Sequence, residues 1–279
     1  MDQSLLEVAT RIPSMGGMEI GPALRDFARV VRSDTAIVEV GCWLGAGTAQ
    51  LALGVLENEE PTGIRIHCYD RWTANAAEVE KAQRWGLNLR EGDDLLPHTK
   101  RMLQPFAVPI EFHQGDIRST VWDGGPISLY VDDASKKPKL FYHSLLTFAP
   151  MWVPGDTIIF FMDFNIWKTS GNPEHQCQKE FIEAYPRSFK QIHHPGVSSD
   201  PEVAVFRYCA SADFAGWVLS RFEKERSRLM KTLREGEEEL RKSLREREEA
   251  LRRVKKSASW RITAPLRRAR RFLLNTRSN

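Results

Sequence analysis

Cysteine is scarce in this chain. Its 279 residues include four, Cys42, Cys68, Cys177 and Cys209, with no CxxC pair among them. That excludes a zinc cage of the usual spacing and a disulfide-stapled fold, and it favours a reducing, cytoplasmic setting. Long apolar runs are missing too. The longest candidates, such as residues 157–162, are strand-sized and fall well short of the roughly 18 residues that cross a bilayer. The first residues, MDQSLLEVATR, lack a basic stretch followed by an apolar one, so no secretory signal is expected. Between Asp213 and Lys256 there is no proline and there are two glycines, Gly216 and Gly236. What is present, 42% apolar and 28% charged residues, suits a globular core with an unusually charged segment attached.

The net charge of +3 conceals a division along the chain. Residues 221–279 carry 20 Lys and Arg against 9 Asp and Glu, whereas residues 1–220 carry 20 against 28. Residues 257–279 sharpen the contrast, with six arginines and no acid. An acidic globular part therefore bears a basic tail, and such tails seek anionic surfaces.

Residues 1–34 read as helix and loop. Leu5, Leu6, Val8 and Ala9 begin an apolar stripe, a Pro/Gly cluster at 13–17 breaks it, and Pro22 opens a helix carrying Leu24, Phe27, Ala28 and Val31. Short apolar runs follow at 36–40, 64–69, 110–113, 127–131, 157–161, 189–193 and 203–208. The first five are apolar almost throughout, as strands buried on both faces of a parallel sheet must be. Stretches of helical length separate the runs, among them 48–57, 77–89 and 140–148. This alternation predicts a doubly wound α/β sheet. About ten residues, with Pro195, Gly196 and Pro201, join the last two runs. They are too few for a crossover helix, so that pair is expected to be antiparallel.

From 213 to 256 apolar residues fall at Leu219, Phe222, Leu229, Leu233, Leu240, Leu244, Leu251 and Val254, three, four or seven apart. That spacing predicts one long helix with a narrow seam, about 66 Å long at 1.5 Å per residue. Arg226, Gly236, Ser243 and Arg247 interrupt the seam. An imperfect coiled coil, pairing two copies or a partner, and a single helix held by Glu–Arg pairs four apart both remain open.

The segment richest in chemistry is Ile37-Val38-Glu39-Val40-Gly41-Cys42-Trp43-Leu44-Gly45-Ala46-Gly47-Thr48. A buried strand ends in an acid, and a glycine-rich turn leads into a helix of small residues. Glycine lets the backbone turn sharply and come close to a ligand. In doubly wound folds ligands bind beyond the carboxyl ends of the strands. An acid there suits a neutral or cationic group and repels a pyrophosphate, which separates S-adenosylmethionine, with its ammonium and sulfonium, from a dinucleotide. The spacing Gly41-x-x-x-Gly45-x-Gly47 also matches the fingerprint of NAD(P)-dependent short-chain dehydrogenases. Those enzymes need a lysine four residues after a tyrosine. Here Tyr69, Tyr130, Tyr142, Tyr185 and Tyr208 are followed at that distance by Thr73, Ala134, Leu146, Phe189 and Ala212. The dehydrogenase reading is the weaker one.

The same segment resembles motif I of class I S-adenosylmethionine-dependent methyltransferases. More narrowly, it is similar to the glycan and antibiotic-sugar O-methyltransferase branch, where the loop reads E-x-G-x-W/Y-x-G-x-S/T. Gly16-Gly17-Met18-Glu19-Ile20-Gly21 and a helix precede it, and acids close the later runs at Asp70, Asp116, Asp132 with Asp133, and Asp163. The likeness covers about residues 10–210. It implies a seven-stranded Rossmann-like sheet with the last strand antiparallel. It also implies that Glu39, Gly41, Trp43, Gly45 and Thr48 surround the methionine end of the cofactor. Asp70 would accept from the ribose hydroxyls, Trp72 would stack on or border the adenine, and Asp116 with Ile117 would meet the adenine amino group. Asp132 and Asp133 would stand beside the transferring methyl, either as a base. Some members hold a divalent metal at a comparable set, here Asp132, Asp163 and Asn165, and three oxygen ligands plus water suit Mg²⁺. The metal-free alternative uses Asp132, Asp133, His193 or His194 as base.

Residues 257–279 include Ser257-Ala258-Ser259-Trp260-Arg261-Ile262-Thr263-Ala264-Pro265-Leu266-Arg267. Thr263 and Pro265 can open a helix with Leu266, Ala269, Phe272 and Leu273 on one face and arginines on the rest. Such a helix binds an anionic membrane surface or docks on protein. Without an aromatic stacking platform, nucleic acid is not expected as a partner. The stretch resembles segments of bacterial cell-surface polysaccharide biosynthesis proteins, which implies a lipid-linked sugar substrate at the inner membrane face. The expected organisation is thus 1–34 a helical lead-in, 35–211 a methyltransferase domain, 212–256 a long charged helix and 257–279 a basic amphipathic tail. A non-catalytic cofactor-binding adaptor of a glycan assembly complex stands as the alternative to an enzyme.

Overall fold

The first strand, β1 (Ala36–Val40), is buried at every position, so layers must cover both faces of the sheet that contains it. The computed structural model describes residues 3–16, 18–198 and 200–256 and shows those layers. Helices α1 (Gln3–Arg11) and α2 (Gly21–Ala28) precede β1, and α3 (Ala46–Leu56) follows it. Then come β2 (Arg65–Asp70), α4 (Ala76–Arg84), α5 (Leu96–Leu103), β3 (Ile110–Gln114), β4 (Ile127–Asp132), α6 (Pro138–Phe148) and β5 (Ile158–Phe161). The chain closes with α7 (Trp167–Ser170), α8 (Cys177–Ala184), β6 (Phe189–Ile192), α9 (Pro195–Ser198), β7 (Ala204–Tyr208) and α10 (Ala212–Lys256).

The strands form one sheet in the order β3-β2-β1-β4-β5-β7-β6. The first five run parallel, and β7 is antiparallel to both β5 and β6. The short β6–β7 connection holds only the single turn α9, which reverses the chain as its length dictates. One face of the sheet packs Ile37, Ile66, Leu129 and Val131 against Leu24 of α2 and Leu51 of α3. The other face is strongly aromatic, with Tyr130, Phe141, Phe148, Phe161, Phe181, Phe206 and Phe214 in one cluster.

Local signals set the helix ends. Pro22 and Pro138 stand in the first turns of α2 and α6, where a missing N–H costs little. Asn75 and Glu78 form a reciprocal capping box at α4. The helix expected over 77–89 is shorter than its apolar spacing predicts, because Gly86 turns at φ 76° and ends it. The chain then enters a loop and starts a further helix, α5.

The lead-in helices belong to the same compact unit as the sheet, which extends to Leu219, within α10. Phe214 and Trp217 at the start of α10 stack at 6.0 Å inside the aromatic cluster. From Ser220 the helix forms a second unit, in which Leu240 and Leu244 are exposed and Lys231–Glu235 and Glu249–Arg253 pair four residues apart. Among the described residues no helix is long and apolar enough to cross a membrane. The basic tail expected at 257–279 lies outside the described residues.

Candidate active site

Strands β1 and β4 are neighbours whose following connections leave in opposite directions, so a crevice opens between their carboxyl ends. A cavity of about 310 Å³ occupies it, a size that suits a small-molecule site. Its walls come from the loop after β1, the ends of β4 and β5, the loop before β7, and the Ile12–Gly16 segment after α1. Among the described residues, the charged side chains lining it are Glu39, Asp133, Asp163, Asp200, Glu202 and a single cation, Lys136. This surplus of acid repels phosphate and favours a ligand carrying positive charge.

The loop after β1 is held by its backbone. Gly41 adopts φ +92°, and a Cβ there would lie 2.9 Å from the Asp133 carbonyl carbon, so no other residue fits. Trp43 adopts φ 45°, a left-handed conformation that bulky residues avoid. Three contacts clamp it: its N–H donates to Asp70 Oδ2 at 2.9 Å, and its carbonyl accepts from Trp72 Nε1 and Thr99 Oγ1, both at 2.8 Å. Asp70 also accepts from the Trp72 N–H at 2.7 Å, and Trp72 is left-handed too, at φ 46°. One carboxylate at the end of β2 thus fixes two strained tryptophans.

Glu39 is 4% exposed and accepts a hydrogen bond from the Thr48 hydroxyl on α3. Burial pushes its carboxyl up to about 7, against the Thr48 contact, which favours the charged form. The carboxylate lies directly over Gly47, where a Cβ would meet Oε1 at 2.3 Å.

Side-chain alternation separates the two acids after β4. Asp132 shares the aromatic face with Tyr130, is fully buried, and accepts from Tyr130 Oη, Ala134 N and Ser135 N. Burial raises it to about 6. Asp133 turns the other way and lines the cavity. Burial and the nearby Asp163 charge push its carboxyl well above the usual range, with Lys136 opposing. The catalytic role expected of Asp132 is therefore corrected: this carboxylate caps the loop after β4, and Asp133 is the acid that lines the cavity.

The expected metal set falls with it. Asp132 is committed to the opposite face, and Asn165 lines a separate cavity of about 190 Å³. Asp163 pairs instead with Lys136 Nζ at 3.0 Å, so an ammonium occupies the place beside this carboxylate that a divalent cation would need. These residues do not fit Mg²⁺.

Other expectations resolve individually. Trp72 is fully buried and forms part of the loop clamp, which removes a stacking role. Asp116 lies outside the cavity lining, and its carboxylate is paired with Arg118 and held well below its ordinary range. Ile117 is buried in the aromatic cluster. Gly45 and Thr48 support the loop without lining the cavity. His193 and His194 border the smaller cavity, and His194 packs on Phe27 with Asp26 at 3.4 Å. Glu39, Gly41, Trp43, Asp133 and Asp163 are brought together.

Sequence reasoning missed Lys136, Thr99 and the Ile12–Gly16 wall. Lys136 stands three residues after Asp133 in a loop, and its role is visible only from the ion pair. Two buried polar atoms among the lining residues have no protein partner, Trp43 Nε1 and Asp163 Oδ2. A buried polar atom without a protein partner calls for a water, an ion or a ligand to satisfy it.

No protein-family profile and no curated protein matches the chain. Solved structures do. A Klebsiella pneumoniae protein provisionally assigned as an O-methyltransferase is 16% identical, over 75% of this chain and 91% of that one, with a TM-score of 0.50. The TDP-rhamnose 3′-O-methyltransferase of calicheamicin biosynthesis is 18% identical, over 68% and 77%, at 0.44. The mycinamycin-pathway methyltransferase solved with Mg, SAH and mycinamycin VI is 16% identical, over 74% and 54%, at 0.41. At such identities the likeness is one of fold: the chain has the Rossmann-like fold of the Klebsiella protein, with a seven-stranded sheet and its reversed strand.

Proposed function

We propose that the chain is an S-adenosylmethionine-dependent O-methyltransferase that acts on a sugar hydroxyl in bacterial cell-surface polysaccharide assembly. The observation that carries the reading is the acidic cavity at the switch point, with five carboxylates, one lysine and an unpartnered indole N–H. That set fits a ligand bearing an ammonium, a sulfonium and one carboxylate, and it opposes a dinucleotide. The cell-surface setting rests on the resemblance of residues 257–279 alone, as do a lipid-linked substrate and an anionic membrane partner.

S-adenosylmethionine, when bound, supplies an electrophilic methyl on its sulfonium. The chain's own residues do the rest. Trp43 Nε1–H is the donor for a ligand carboxylate, and Glu39 is the counter-charge for an ammonium. Each oxygen of Asp70 keeps a second lone pair for a ribose hydroxyl beyond its backbone contact. Asp133 takes the proton of the acceptor hydroxyl as the methyl passes to that oxygen. A carboxylate whose proton affinity is raised is the better base for a hydroxyl. Lys136 pairs with Asp163 and opposes the rise that burial imposes on both the Asp163 and the Asp133 carboxyls. The polar walls suit a polyol acceptor.

Calorimetric titration with S-adenosylmethionine and with NAD tests the cofactor first, and transfer of radiolabelled methyl to sugar acceptors tests the enzyme against the adaptor. Binding of S-adenosylmethionine should tighten from pH 6 to pH 8. Below about 7 Glu39 is mostly protonated and offers no charge to the ammonium; above it the carboxylate forms. One linked proton changes affinity by up to about tenfold per pH unit on the acid side. In Glu39→Gln this dependence should flatten and binding weaken. NAD binding without S-adenosylmethionine binding would overturn the reading.

A further inference from the structure

Away from the cavity, three ligand-type side chains converge across β2 and β3. The register pairs His67 with Glu111 and Tyr69 with His113, so alternation sets all four on one face. His67 Nδ1 lies 3.1 Å from His113 Nε2 and 3.5 Å from Glu111 Oε2. One donor atom from each of His67, Glu111 and His113 lies within 4.8 Å of the other two.

We propose that His67, Glu111 and His113 bind a zinc ion that staples the edge strand β3 to β2. Tetrahedral zinc, with bonds of about 2.0–2.1 Å to nitrogen and oxygen, sets neighbouring donors about 3.3 Å apart. The separations of 3.1 and 3.5 Å already have that size. Two imidazoles and a carboxylate suit zinc rather than Mg²⁺ or Ca²⁺, which prefer all-oxygen shells.

The surroundings hold each ligand in place. Glu111 Oε1 accepts from Arg65 Nη1 at 2.9 Å, which fixes the carboxylate and leaves Oε2 for the ion. Tyr69 stacks on His113 at 4.3 Å, and Trp122 meets the His67 ring edge-on at 4.8 Å. Asp123 adds negative charge near both rings, and water completes the fourth position. The other converging set among the described residues, Glu39, Cys42 and Cys68, is buried, with Glu39 and Cys42 in the cavity wall and the Cys42 thiol pushed up by burial. A protonated thiol is a poor ligand. The proposal stands apart from the methyl-transfer reading and does not depend on it.

The test uses the full chain, stripped with EDTA, dialysed, and titrated with Zn²⁺ against a chromophoric chelator. One equivalent should bind, and affinity should fall by more than about tenfold in His113→Gln and in Glu111→Gln. Cys209→Ser, which removes the exposed thiol, should bind as the parent does. Co²⁺ should give the intense visible bands of a tetrahedral site without a thiolate charge-transfer band. Zinc should raise the melting temperature of the parent chain and leave that of His113→Gln unchanged. Failure of the folded parent to bind zinc, equal binding by His113→Gln, or loss of binding in Cys209→Ser would overturn the proposal.

Discussion

In an Asp133→Asn variant, turnover is expected to fall about 10²- to 10⁴-fold, the range lost with a positioned general base. Affinity for S-adenosylmethionine should stay within a few-fold, because Glu39 and Trp43 carry the binding contacts proposed for its methionine end. The substitution is close to isosteric. Burial already pushes the native carboxyl toward its neutral form, so the fold should tolerate the amide. The pH profile adds an independent check. Lys136 opposes the rise of the Asp133 carboxyl, so Lys136→Met should move the acid limb of kcat toward higher pH. Steady-state methyl transfer beside calorimetry reads both effects. Near-native turnover in Asp133→Asn would remove Asp133 as the base.

The second large effect is expected at Asp70, which lies outside the cavity lining. Asp70→Ala deletes the acceptor for two backbone N–H groups, those of Trp43 and Trp72. Hydrogen bonds to a charged group contribute roughly 1.5–3 kcal/mol each. Both tryptophans are held at φ near 45°, and without the carboxylate the bonds to their carbonyls, from Trp72 Nε1 and Thr99 Oγ1 to Trp43 and from the Leu95 N–H to Trp72, are left to resist relaxation. The loop that carries Gly41 should relax, with cofactor affinity falling by about 100-fold or more and the melting temperature dropping. Asp70→Asn keeps one acceptor oxygen and should land between the two. Calorimetry and thermal melting decide it, and parental affinity in Asp70→Ala would contradict the clamp.

Both effects show how far the site was legible beforehand. The run Ile37-Val38-Glu39-Val40-Gly41 announced a buried strand, an acid at its end and a turn only glycine can make, and the structure carries all three. The acids after the later strands were visible, but their orientation was not. Asp132 and Asp133 differ by one position, and a one-residue step along a strand exchanges the two faces of a sheet. Which of the two faces the cavity depends on which face α6 covers. Trp72 illustrates the same limit. A tryptophan after the second strand suggested an aromatic surface for a base, yet its indole N–H is spent on the Trp43 carbonyl 29 residues earlier.

The sequence by itself determined the αβα layering, the reversed pairing of the last two strands and the long final helix. Those features follow from periodicity and connection length, which are local properties of the chain. Only the tertiary structure decided that Asp133 rather than Asp132 lines the cavity, that Lys136 sits beside Asp163, and that Asp70 braces the loop. Each of these pairs residues far apart in sequence or on opposite faces of one strand. Electrostatic and hydrogen-bond partnership depends on separation in space, which no spacing along the chain encodes.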